Sequence, residues 1–70
     1  MNNFVMKFKK GFVSGLMRSM AKEVTEDPVF ADRLCLLCTL YLEGTFNFRE
    51  FCKQVRTLYM VRKLYQENGA

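Results

Sequence analysis

The chain has 70 residues, a net charge of +4, three cysteines and neither histidine nor tryptophan. At this size a single domain is expected, with a core so small that oligomerisation or a partner commonly supplements it. Without histidine the commonest general base and metal ligand is missing, and serine and cysteine nucleophiles lose their usual activator, which points away from an enzyme and towards a binding role.

Residues 3–24 are predicted to form the first helix. Phe4, Phe8, Phe12, Leu16 and Met20 recur every four residues, and Val5, Met6, Val13, Met17 and Val24 widen the apolar arc to roughly 220°, too wide for a simple surface helix. Lys7, Lys10, Ser14, Arg18 and Ala21 occupy the remaining arc. Residues 1–22 hold Lys7, Lys9, Lys10, Arg18 and Lys22 without one acid, a net +5. Gly11, Gly15 and Ser19 form a row of small residues that lets another backbone approach closely. Three roles fit this helix: close packing inside a bundle; a homodimer seam built from Phe4, Phe8, Gly11, Phe12, Gly15 and Ser19; or a basic amphipathic helix on a membrane surface.

The second helix is expected over residues 28–43. Asp27 is a suitable N-cap and Pro28 fits the first helical position, with Glu26 and Asp27 placed favourably against the helix dipole. Gly44 suits the C-terminal end. Between residues 29 and 42, eleven of fourteen residues are apolar and only Asp32, Arg33 and Thr39 are not. A helix that is apolar nearly all round needs neighbours on every side. Two flanking helices do not enclose it, so completion of the core by a second copy or another protein is expected. The segment 23–43 has a net −4, which allows pairing with the basic segments on either side.

The third helix is expected over residues 48–67. Asn47 as N-cap with Glu50 three residues on makes a capping-box pattern, and Phe46 can staple onto Phe51. Gly69 follows its end. Phe48, Phe51, Cys52, Val55, Leu58, Tyr59 and Tyr65 are expected to pack inward. Arg49, Lys53, Arg56 and Lys63 recur on the neighbouring face, with Met60 at the missing step. Such a row presents cations along about 21 Å of helix. It is either a solvated face or a contact with phosphates or an acidic protein, for which arginine's planar fork is well shaped. Residues 44–70 have a net +3.

Three short motifs add little chemistry. Cys35 and Cys38 form a CxxC inside an apolar helix, with no second pair and no histidine, so buried packing thiols and no metal are expected for both and for Cys52. Residues 40–44 followed by a capped basic helix have the outline of a helix–turn–helix, but Glu50 stands where the second helix needs an apolar residue. Residues 44–51 resemble the second half of an EF-hand calcium loop, with Gly44 at the turn, Phe46 at the apolar position and Glu50 at the closing acid. The first half departs from that pattern, with Thr39 and Tyr41 where the family has carboxylate or amide ligands, so no calcium site is expected.

Three unpaired thiols suit a reducing, cytoplasmic setting. Arg18 interrupts the apolar stretch after Phe12 and no small-residue cleavage site follows, so no secretory signal is expected; the uncharged run 34–42 is too short to span a bilayer. The acid-free basic start shares the character of a mitochondrial presequence, but removing it would leave too few residues to fold. The sequence therefore predicts a small all-α, three-helix domain acting as a homodimer, without cofactor. Its expected role is that of a regulatory interaction protein, an adaptor or inhibitor with an acidic protein partner. A dimeric nucleic-acid-binding protein using Arg49, Lys53, Arg56 and Lys63 is the alternative, and peripheral membrane association through the first helix comes third.

Overall fold

The computed structural model describes residues 3–68, which form four helices and no strand: α1 (Asn3–Ser19), α2 (Ala21–Glu26), α3 (Pro28–Leu42) and α4 (Phe48–Asn68). The all-α class agrees with the sequence, but the helix count does not, because the expected first helix divides at Met20. That residue adopts φ −109° and ψ 19°, outside the helical well. The Ser19 hydroxyl donates to the Leu16 carbonyl at 2.8 Å, the same oxygen that accepts the Met20 amide at 3.0 Å. A hydroxyl that competes for a helical carbonyl bends the rod, and the bend turns Met20 and Val24 onto the core.

The caps follow the local chemistry. Asp27 Oδ1 accepts from the Phe30 amide at 3.1 Å and Pro28 opens α3. At the other end Gly44 takes φ +92°, a conformation glycine adopts without strain. Thr45 N–H then reaches back to the Leu40 carbonyl at 2.9 Å and Gly44 N–H to the Tyr41 carbonyl at 3.1 Å, which is the Schellman pattern. Asn47 Oδ1 accepts from the Glu50 amide at 2.8 Å. The reciprocal half of the expected capping box is replaced, since the Glu50 carboxylate accepts from Gln54 Nε2 at 3.4 Å. Gly69, expected to end the last helix, lies outside the described residues.

Two polar contacts fix the order of the rods. Lys9 Nζ donates to the Tyr41 carbonyl at 3.2 Å, so the start of α1 lies beside the end of α3. Arg62 Nε donates to Asp27 Oδ2 at 3.2 Å, so the far part of α4 lies beside the start of α3. The α1–α2 rod and α4 therefore run in one direction with α3 antiparallel to both.

The core is one sector of α3 pressed against α4: Phe30, Leu34, Cys38 and Tyr41 meet Phe51 and Val55, and Phe12, Val13, Leu16, Met17, Met20 and Val24 close over them. Tyr41 stacks on Phe51 with centroids 4.3 Å apart and planes 6° apart. Phe12 stands edge-on to Phe48 at 4.9 Å and to Phe51 at 6.0 Å, joining α1 to α4 through aromatic contacts of a favourable geometry.

The rods are unequal in length, and this exposes both ends. Residues 3–8 of α1 lie beyond the level of Tyr41 and residues 63–68 of α4 beyond that of Asp27, each an overhang of about 9 Å at the helical rise. The backbone accordingly measures 49 × 20 × 15 Å. Tyr65, expected to pack inward, is 75% exposed because α3 has already ended where it emerges; Phe48 and Tyr59 are also partly open.

Candidate docking groove and cationic faces

Residues 29–42 are too apolar for two neighbours to enclose, and the structure leaves one sector of α3 bare. Val29 is 62% and Leu36 58% exposed. Together with Leu37 of α3 and Leu58, Val61 and Tyr65 of α4 they line a groove of about 640 Å³. A second hollow of about 330 Å³ shares Val29, Leu58, Val61 and Tyr65 and runs on towards Asp27 and Arg62. Gln54, Thr57 and Arg33 supply the polar edge of the larger groove. Among the described residues Arg33 has no acid within ion-pair distance, and the sole acid of the lining, Asp27, is engaged by Arg62. The arrangement offers an apolar trough with an unsatisfied cation on its rim.

Arg62 closes one end of this trough, and the sequence reading did not single it out. Its Nε lies 3.2 Å from Asp27 Oδ2, a second nitrogen lies 3.9 Å from Glu26, and its side chain is 11% exposed. The guanidinium also sits 5.5 Å from the Phe30 ring centre, a cation–π distance. Asp27 thus caps α3 with one oxygen and anchors α4 with the other. The signal was present: residue 62 falls in register with Phe51, Val55 and Leu58, and a cation on an inward stripe must find an acid there.

Arg49, Lys53, Arg56 and Lys63 are all exposed, and the ion pairs among the described residues belong to Arg62. Arg49, Lys53 and Arg56 therefore form no ion pair with the acidic middle of the chain among the described residues, and Lys63 approaches it without pairing. Arg56 borders the cleft between α1 and α4 with Phe12 and Leu16, and Lys63 shares a polar hollow with Lys22, Glu23 and Glu26.

The six residues expected to form a dimer seam do not share one environment. Phe12 is half-buried in the aromatic cluster, so it serves the chain's own core. Phe8 is exposed but lies 6.3 Å from Phe48, and Phe4 is 79% exposed. A methyl group built on Gly11 or Gly15 would meet no atom within 4 Å. Close packing of the small row inside the bundle is therefore ruled out. Ser19 is exposed and acts at the Met20 bend.

The cysteines are dispersed in environment: Cys35 is exposed, Cys38 buried and Cys52 half-buried. This corrects the expectation that all three pack inside. Burial pushes the Cys38 thiol above its usual value, with the neighbouring Cys35 adding to the effect, so Cys38 resists becoming the reactive thiolate. Burial likewise raises the Tyr41 phenol. Among the described residues no three Cys, Asp or Glu side chains converge as a metal would require, and no helix is long and apolar enough to cross a membrane. In the stretch that resembles an EF-hand loop, Gly44 and Asn47 act in helix capping. No known protein family, curated protein or solved structure matches the chain.

Proposed function

We propose that this chain is a non-enzymatic regulatory interaction protein, an adaptor or inhibitor, that receives an acidic amphipathic helix of another protein in the groove between α3 and α4. The observation that carries the reading is the uncovered apolar trough with Arg33 unpaired on its rim. Its lining runs from Val29 to Leu37 on α3 and from Gln54 to Tyr65 on α4, about 17 Å along the longer wall, enough for three turns of a docked helix to set apolar anchors at helical spacing. A carboxylate on that helix would answer Arg33. The lack of histidine fits a role without catalysis.

A second copy is the rival occupant, and the homodimer expected from the sequence belongs here as a proposal. Two grooves facing each other would bring together two Arg33 side chains while the lining adds no free acid, which favours an unlike, acidic partner. A second reading, nucleic-acid binding by a dimer, draws support from the unpaired row Arg49, Lys53, Arg56 and Lys63.

The test uses an 18-residue designed amphipathic helix with a leucine stripe, made in a glutamate-flanked and a lysine-flanked version, titrated into labelled protein. Amide shifts should centre on Val29, Leu36, Leu58, Val61 and Tyr65, the acidic peptide should bind more tightly, and Arg33→Glu should reverse that preference. Equal binding of both peptides, or shifts elsewhere, overturns the reading. Sedimentation equilibrium at micromolar protein runs alongside: a dimer whose groove amides are protected replaces the foreign helix with a second copy. Duplex DNA binding with a log K against log salt slope of about −3.6 per chain, for four phosphates neutralised by each, would place the nucleic-acid reading first.

A further inference from the structure

The overhanging start of α1 has a chemistry that the groove does not explain. Phe4, Val5, Met6 and Phe8 are exposed there, with Phe4 the most exposed apolar side chain described. Lys7 and Lys10 stand exposed among them, and the described part of α1 contains no acid. Lys9 is engaged by the Tyr41 carbonyl and ring, which fixes how the helix is rotated on the bundle. The open side of the helix therefore continues from Phe4 and Phe8 past Gly11 and Gly15, where no side chain of the bundle lies near.

Three coverings compete for this surface. A second copy paired along α1 would set Lys7, Lys10 and Arg18 against their own kind with no acid to answer them. A nucleic acid would answer the cations but leave Phe4, Val5 and Met6 in water. An anionic bilayer meets both demands, taking apolar side chains below the headgroups while the lysines stay among the phosphates. We propose that α1 is a docking helix for anionic lipid surfaces, lying in the plane of the interface with Phe4, Val5 and Phe8 inserted and Lys7 and Lys10 at headgroup level. The surface is distinct from the groove, so each proposal stands or falls alone.

The chain has no tryptophan, so Phe4→Trp places a single emission probe at the proposed insertion point. With vesicles of phosphatidylcholine containing one third phosphatidylglycerol its emission should shift to the blue and the protein should float with the vesicles; with phosphatidylcholine alone neither should occur. Lys7→Gln with Lys10→Gln should weaken partitioning about 30-fold, the effect of two charges at an anionic surface. Phe4→Ser should weaken it while leaving the thermal midpoint unchanged, because the residue touches little of the bundle. No shift and no flotation overturns the proposal, as does equal partitioning onto neutral and anionic vesicles. Duplex DNA binding that is indifferent to Phe4→Ser, with no binding to vesicles, would replace lipid by nucleic-acid phosphate.

Discussion

The two sides of α3 are built from the same kinds of residue and meet opposite fates. On one side Phe30, Leu34, Cys38 and Tyr41 are sealed beneath α1, α2 and α4; on the other, Val29 and Leu36 face outward beside Arg33. Composition does not make this difference. Asp27 alone separates α2 from α3, and five residues separate α3 from α4, so the short links force neighbours to return along one side. What is buried is decided by where the links put the next helix, and the remaining sector stays apolar because the helix pattern is apolar all round.

Truncating a side chain on each side of α3 should have the most unequal consequences. Phe51, fully buried against Tyr41, should cost about 3–5 kcal/mol on replacement by alanine, through lost burial and the cavity left behind. In a domain this small that loss should unfold most of the molecules at room temperature. Leu36→Ala should change stability by less than ~0.5 kcal/mol. Thermal and urea unfolding at several protein concentrations measure both. A concentration-dependent loss at Leu36 comparable with that at Phe51 would mean that the open side is covered in solution.

A smaller effect is expected at the latch that joins the two sides. Asp27→Ala removes the N-cap, worth about 1 kcal/mol, and the contact with Arg62, which at the partial exposure of Asp27 adds about 1 kcal/mol or less. Asp27→Asn keeps the cap and loses the charge, so it should cost about half as much. In a double-mutant cycle with Arg62→Met, the coupling should shrink as salt rises. A cycle with zero coupling would show that Arg62 is placed by its packing on Phe30 alone.

Much of this fold was legible because its signals are local. Asp27, Asn47 and Gly44 announce their caps within three or four residues, and eleven apolar residues in fourteen state that α3 needs more cover than 70 residues provide. The bend at Met20 was not legible, since it depends on whether the Ser19 hydroxyl turns to solvent or to the Leu16 carbonyl. Arg62 finds its acid 35 positions away, and only its register with Phe51, Val55 and Leu58 hints at it. Tyr65 shares that inward register yet is exposed, because register says nothing of where the opposing helix stops. Of the candidate surfaces, the basic row was readable in full from spacing. The groove was foreseen as a need for cover, but its walls required knowing which helices meet.

The last expected effect, opposite in sign, concerns a stretch of α1 that neither side of α3 claims. Gly11 and Gly15 have helical backbones and open space where a side chain would be. Alanine is favoured over glycine within a helix by about 0.8–1 kcal/mol, because glycine loses more backbone freedom on folding. If nothing packs there, Gly11→Ala and Gly15→Ala should each stabilise the protein by that amount, and the two effects should add because neither residue touches a shared partner. If a second copy closes on the small row, the same methyl groups would hold the two backbones apart. Stability would then fall below that of the unsubstituted protein, and the deficit would widen as protein concentration rises. Chemical denaturation of the two single variants and the double variant at low and high micromolar protein separates these outcomes by sign, which makes the measurement decisive although the energies are small.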